Sequence, residues 1–374
     1  MVEIQKVETQ RQRKEFVQFP LRLYKDVPYF APALYGDEMK AFTDANVYKN
    51  TCDDVFFLAV RDGRTVGRIQ GIIQRQYNKL HNEKRTRFTR FDCIDDQEVA
   101  SALIKAVEDW GRENGMDQVC GPLGYSDLER EGLLIDGFEE LSTFEEQYNY
   151  PYYQKLIEAC GYGKDVDWVE YKLYPPKERN SMLTRVATRA LEMNKLHIVD
   201  SSKMSKKEYI NKIKDGFFEC IDECYAKLYG TVPFTDEMKK QLIDQFMLII
   251  NKKYLVIVCD ESERVVSVGL CFPAIGQALR KSGGRLTPFA LVRLLSAINN
   301  PKIIDLALVA VRPEYQARGV PAVMINGMLD MFDNSNVEYC ETNLNLEDNV
   351  AVQSMWKYFN AVQHKRRRSF VKDI

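Results

Sequence analysis

At 374 residues, 45% hydrophobic and 28% charged, the chain has the composition of a folded globular protein and the length of two domains rather than one. Its 52 basic and 54 acidic side chains leave a net charge of −2, which argues against a general nucleic-acid binder. No apolar run reaches membrane-spanning length and the first twenty residues lack a signal-peptide pattern, so a cytoplasmic protein with no membrane partner is expected.

The first half mixes strands and helices. Residues 56–60 read as a short apolar strand, Asp62 and Gly63 as a hairpin turn, and residues 65–73 as the returning strand. Residues 87–94 give a third strand. Asp95 and Asp96 then cap a helix through Trp110, with Val99, Leu103, Ala106 and Val107 on its apolar face. Residues 118–122 form another strand, 123–147 a long loop whose 124–137 stretch is acidic (Asp127, Glu129, Glu131, Asp136), and 151–159 a helix ending at Gly161. In that helix start, Tyr148, Tyr150, Tyr152 and Tyr153 read as packing. A strand at 166–173 ends at Pro175 and Pro176, which place a domain boundary between residues 1–175 and 176–374.

The second half runs a similar programme: a strand at 197–200, helices at 206–229 and 235–250, and a hairpin of 254–259 with 265–272. Residues 274–298 are an apolar helical insertion broken at Gly283 and Gly284, read as a covering helical pair or a lid over a long acyl chain. A strand at 303–311 leads through a tight loop into a helix at 323–332, followed by a strand at 337–344, a helix at 349–359 and a closing strand at 362–370. That last strand holds a basic run, 365–368, whose charges alternate between faces.

Nine cysteines are scattered without a Cys-x-x-Cys pair, as expected for reduced thiols. His81, His197 and His364 lie far apart, and no metal site is expected. The informative feature is the loop that follows residues 306–311. It is short, contains Gly319 and carries no acid after Glu314. Such a loop aims backbone N–H groups and the positive end of a helix at one point, which suits a phosphate or diphosphate.

The element order, with this loop after the fourth strand, resembles the GNAT acyl-coenzyme A transferases. Gln316 and Gly319 match the family's Gln/Arg-x-x-Gly-x-Gly/Ala pattern, with Pro321 where Gly or Ala is usual. Glu347, Asp348 and Asn349 with residues 355–359 resemble its fourth-helix motif. Residues 121–126, 132–138 and 346–349 resemble phrases of a bacterial group with two GNAT domains. The resemblance implies an α/β fold of two domains, each a mixed, mostly antiparallel twisted sheet flanked by helices.

It also implies an enzyme that moves an acyl group from acetyl-CoA or another acyl-CoA to an amine of a small-molecule or peptide acceptor. The pantetheine arm would bond the backbone of Leu308, Val309, Ala310 and Val311, with the Val309 or Val311 N–H polarising the thioester carbonyl. The diphosphate would rest on Gln316, Ala317, Arg318, Gly319, Val320 and Ala322. Gly319 allows close approach, and Pro321 withholds one donor at a loss of about 1 kcal/mol. Asn349 belongs to the cofactor set. Asp305 and Glu341 are the candidate bases. The leaving-thiol acid expected in the fourth helix falls at Trp356, which donates no such proton, and Tyr358 is its nearest substitute. In the first half the matching loop is Asp95, Asp96, Gln97 and Glu98, whose carboxylates repel a diphosphate, so no coenzyme is expected there. Two alternatives stand: a non-catalytic acyl-CoA sensor, and an aminoacyl-tRNA-dependent transferase of the peptidoglycan-bridge type, which would want a basic surface and a helical arm.

Overall fold

A computed structural model describes residues 1–143 and 145–374. The chain forms two compact units, each assembled from separate stretches: Met1–Val169, Ile275–Leu294 and His364–Ile374 in unit 1, and Glu170–Ala274 with Leu295–Gln363 in unit 2.

In unit 1, strands β1 (Glu3–Lys6), β2 (Cys52–Arg61), β3 (Arg64–Gln74) and β4 (Arg85–Cys93) pair antiparallel in chain order, and β5 (Gln118–Gly121) runs parallel to β4. The β2–β3 hairpin turns at Asp62 and Gly63, both at positive φ (51° and 72°), the geometry that matches the strands' twist. Helices α1 (Gln10–Leu23), α2 (Tyr35–Lys40) and α3 (Arg75–His81) precede α4 (Gln97–Glu113). The Asp96 carboxylate caps α4 by accepting from the Glu98 and Val99 N–H groups at 2.9 and 3.2 Å. Val99, Leu103 and Val107 on α4 are fully buried against Phe88, Phe91 and Phe370.

Residues 123–147 are more ordered than a loop. They contain β6 (Leu133–Asp136), which pairs antiparallel with Arg366–Arg368, while residues 370–373 pair antiparallel with β5. After β6, Asn149 is fully buried and pins the strand, accepting from the Leu134 N–H at 2.7 Å and donating to the Leu134 carbonyl at 2.9 Å. Helix α5 (Tyr152–Ala159) follows. The basic run is internal: Lys365 and Arg367 are buried, and Arg366 and Arg368 both bond the Asp167 carboxylate. Strand alternation is as expected, but those charges are spent inside unit 1.

Unit 2 takes the end of β7 (Gly163–Tyr174), then α6 (Ser181–Asn194), β8 (His197–Ile198), α7 (Lys206–Tyr225), α8 (Asp236–Phe246), β9 (Leu255–Cys259) and β10 (Val265–Pro273). After α9 (Gly276–Arg280) and α10 (Pro288–Asn299) come β11 (Ile303–Val311), α11 (Pro313–Gln316), α12 (Val320–Asp333) and β12 (Tyr339–Thr342). Its sheet order is β8, β9, β10, β11, β12, β7, antiparallel except for β11 with β12. One face buries Ile304, Leu306, Cys340 and Leu173 under α12 and α6.

Helix α6 is absent from the sequence reading. Asn180 caps it, accepting from the Met182 and Leu183 N–H groups, and Leu183, Ala187 and Ala190 face α12. Its buried stripe is one leucine and two alanines. The helix expected at 349–359 is two pieces, α13 (Val350–Gln353) and a 3-10 turn, Ser354–Tyr358. Among the described residues no helix is long and apolar enough to cross a membrane.

Because Phe370 is fully buried in the core under α4, Phe370→Ala is expected to destabilise unit 1 by about 3 kcal/mol. Hydrogen exchange checks it: protection falls in Gln97–Glu113 and is kept in Val320–Asp333. Equal loss in both would mean that the two cores unfold together.

Candidate functional site

The site begins with an irregularity in β11. Its antiparallel register with β10 slips by one residue at Ala307, between the Leu270–Leu308 and Cys271–Leu306 pairs. On its other side β11 is parallel to β12 only over Ile303–Leu306, opposite Tyr339–Thr342. The last contact is the Asn343 N–H to the Leu306 carbonyl, 3.0 Å. A bulge bends its strand and reverses which amides face which neighbour. Past Ala307, therefore, β11 leaves β12 and opens an edge.

Of the four residues expected to meet the pantetheine arm, only Val309 and Val311 turn their backbone groups to that edge. Leu308 and Ala310 face β10, and the Ala310 carbonyl also accepts from the Ser267 hydroxyl at 2.8 Å. At the edge, side chains replace a strand. The Tyr225 hydroxyl donates to the Val309 carbonyl at 3.1 Å and accepts from the Val309 N–H at 3.3 Å. Gln316 Nε2 donates to the Val311 carbonyl at 3.0 Å.

Tyr225 is the residue that sequence reasoning missed. It ends α7, half-buried, on the stripe of Phe218 and Ile221. Glu223, two residues earlier, pairs with the buried Arg312 at the end of β11, and Arg312 Nε donates to the Val265 carbonyl at 2.7 Å. That clamp holds the end of α7 over β11. The i, i+3, i+7 spacing of Phe218, Ile221 and Tyr225 was readable; the strand it reaches was not.

The loop has the expected strand–turn–helix form. Gly319 is the N-cap of α12 at φ +79°, a left-handed conformation that favours glycine. Its close neighbour is α6: a Cβ at Gly319 would lie 3.1 Å from the Ala190 Cβ. The Asn194 side chain donates to the Arg318 carbonyl at 3.2 Å. The Ala317 and Arg318 N–H groups return to the Tyr315 carbonyl, and the Ala322 N–H to the Gly319 carbonyl. These three expected donors therefore close the loop's own turns. Among the described residues the N–H groups of Gly319 and Val320 are left for an anion, at the positive end of a fourteen-residue helix with Arg318 exposed beside it.

Asp305 and Glu341 are brought together as register partners on the parallel β11–β12 ladder, both buried. Buried Glu170 adds a third carboxylate, one of its oxygens lying within 4.8 Å of one of Glu341's. Lys172 is the register partner of Glu341 on the other side. Phe272, opposite Asp305 on β10, stacks on Phe246 of α8 at 4.7 Å. The acidic face thus lies toward α8, away from the α12 core.

The fourth-helix residues make packing and capping contacts. Trp356 is buried and donates its indole N–H to Asn345 Oδ1 at 3.2 Å. Tyr358 packs partly buried on the same core. Asn349 caps α13, accepting from the Val352 N–H at 3.2 Å, so its side chain serves the helix.

Unit 1 offers a closed counterpart. Strand β4 also bulges, at Arg90 (φ +47°), and leaves β5 after the paired segment Arg85–Arg87. There Tyr153 Oη accepts from the Cys93 N–H at 2.7 Å and donates to the Cys93 carbonyl at 2.9 Å, with Tyr152 on the same carbonyl. Tyr153 is fully buried, and that burial pushes its hydroxyl well above the usual phenol range. The helix N-terminus that would hold a diphosphate is filled by the Asp96 carboxylate, which is paired to Arg61.

No family model matches the chain. It is 25% identical over 368 residues to Protein YghO of Escherichia coli (strain K12), covering 96% of this chain and 93% of that protein. It is 25% identical over 377 residues to the bacterial ceramide synthase of Caulobacter vibrioides, covering 98% and 96%. Among solved structures it resembles a tandem GNAT protein from the clavulanic acid biosynthesis pathway, with TM-score 0.55, 11% identity, and coverage of 100% of this chain and 98% of that one. A GCN5-related N-acetyltransferase from Sphaerobacter thermophilus is similar at TM-score 0.50 and 10% identity, covering 100% and 95%. With a bulge-split strand in each unit and a tandem GNAT protein matched end to end, the chain has the tandem GNAT fold.

Proposed function

We propose that unit 2 transfers an acyl group from an acyl-coenzyme A to an amine. The observation that carries this reading is the open edge of β11, where a single half-buried hydroxyl, Tyr225, satisfies both the N–H and the carbonyl of Val309. An amide offers the same donor and acceptor, so the pantetheine arm fits that edge as a strand would. The Gly319 and Val320 N–H groups, the α12 dipole and Arg318 suit the diphosphate. The name of the Caulobacter relative is in keeping, because a ceramide is an amide.

On this reading the donor's thioester carbonyl takes the Val309 N–H, which stabilises negative charge on that oxygen as the amine attacks. Tyr225, released from that amide, gives its proton to the departing sulfur. This role falls to α7 because Trp356 is committed to the core. Asp305 or Glu341 takes the proton lost by the amine. Asp305 lies four residues before Val309, roughly 13 Å along an extended strand. That span accommodates the amine and a relaying water. Unit 1, with its edge closed by Tyr153 and its helix end by Asp96, serves as scaffold without coenzyme.

Tyr225→Phe is expected to lower the rate of thiol release with an amine acceptor about a hundredfold, while calorimetric affinity for coenzyme A changes little. A panel of amines with acetyl-CoA and long-chain acyl-CoA, followed by mass spectrometry, supplies the acceptor. Unchanged turnover in Tyr225→Phe would remove the acid role. Coenzyme binding without turnover in wild type on any acceptor would favour the sensor reading.

Asp305→Asn and Glu341→Gln separate the two bases. The variant that removes the base should lose on the order of a hundredfold in kcat with unchanged coenzyme affinity. Equal, small losses in both would show that neither carboxylate takes the proton. Arg318→Glu is the better probe of the diphosphate, since any side chain at Gly319 also disturbs α6. It should weaken coenzyme binding about tenfold at low salt.

A further inference from the structure

The helical insertion between β10 and β11 carries a surface that none of the foregoing uses. From residue 265 to 304 the sequence has no acidic side chain and five basic ones, Arg280, Lys281, Arg285, Arg293 and Lys302, in a chain with 54 acids. Within it α10 is apolar nearly all round. Ala290 and Leu294 are buried beneath it, yet Phe289 and Val292 on its outer side are 80% and 68% exposed, with Leu291 and the preceding Leu286 also exposed. An outward-facing cluster of Leu, Phe and Val is not left in water without a partner.

The helix is held in place. Gly284, at φ +74°, accepts from the Tyr35 N–H at 3.0 Å, and a Cβ at Gly284 would fall 1.8 Å from the Ala33 carbonyl oxygen. The Arg285 guanidinium lies 4.0 Å over the Tyr35 ring. The turn before α10 is thus pinned to unit 1 and presents Leu286, Phe289 and Val292 outward. Exposed Arg280, Lys281 and Arg285 border them.

We propose that this face of α10 docks on an anionic lipid surface, with Leu286, Phe289 and Val292 entering the headgroup region and Arg280 and Lys281 meeting lipid phosphates. An apolar helical face edged by cations, on a segment that itself carries no acid, is the combination that binds such a surface. Charge disfavours a second copy: in a two-fold pair the cations of this segment would face their own copies, and the segment supplies no carboxylate to pair them. The expectation of no membrane partner rested on the lack of a spanning segment, and a helix lying in the interface needs none.

Sedimentation of the full chain with vesicles tests it, using phosphatidylcholine alone and phosphatidylcholine with one-third phosphatidylglycerol. Wild type should pellet with the anionic vesicles and be released by salt. Phe289→Glu/Val292→Glu should bind about tenfold or more weakly, and Arg280→Glu/Lys281→Glu should lose the preference for phosphatidylglycerol. All four positions are exposed, and unchanged melting temperatures confirm that the variants fold. Failure of wild type to pellet with anionic vesicles overturns the proposal. So does equal pelleting of wild type and the Phe289→Glu/Val292→Glu variant, or a dimer that this variant converts to monomer without any vesicle binding.

Discussion

The open edge of the site follows from one extra residue in β11. Without the slip at Ala307, the alternation of β11 would turn the Val309 amide to β10 rather than to the edge. With it, the two strands share four register pairs and then part. The unpaired amides past the bulge must find partners, because a buried backbone group left unbonded costs about 1–3 kcal/mol. Side chains meet that demand, and the identity of those side chains separates the two units.

In unit 1 the demand is met permanently. Tyr153 and Tyr152 come from α5, which packs in the main core, and Tyr153 is fully buried. Around the Arg90 bulge the charges are also satisfied internally. Arg90 holds both Glu38 oxygens at 3.1 Å and Gln70 at 2.8 Å. Burial alone would raise the Glu38 carboxyl, but the neighbouring guanidiniums of Arg90, Arg130 and Arg68 keep it down at about 2. Displacing that network would strand several buried charges. In unit 2 the partner of the Val309 amide, Tyr225, is half-buried at a helix end. The same architecture meets its edge amide with a fully buried tyrosine in one unit and a half-buried one in the other.

The sequence made most strands, the hairpins and the strand–loop–helix at Gly319 legible, because these rest on local signals such as apolar runs, Asp-Gly turns and a loop glycine, while β1, α1, α2, α3, β6 and α6 escaped it. It also placed Asp305 and Glu341 among the candidates, and the parallel register brings them side by side. What it could not show was set by distant partners. Gly319 reads as room for a ligand, but only the fold reveals that α6 fills that room. Asn349 and the N–H groups of Ala317, Arg318 and Ala322 look available until capping and turn bonds consume them. The alternation of the run 365–368 is readable, but its partners are not: Lys365 and Arg367 are buried, and Arg366 and Arg368 meet Asp167.

Tyr225 shows why site residues are harder to read than folds. Nothing in residues 206–225 marks one tyrosine as chemically special; it becomes so through Arg312, about ninety residues later, which clamps Glu223 and so fixes where α7 ends. On the proposed mechanism, the acid for a departing thiolate is defined by a position beside Val309, not by a helix of origin. In unit 1 the tyrosine at the corresponding edge belongs to α5, and in unit 2 it belongs to α7. Once Trp356 joined the core of unit 2, any hydroxyl able to reach the same amide could take the role. A search for the family's usual position in the fourth helix therefore returns a buried indole, whereas a search for whatever side chain meets the Val309 amide returns Tyr225.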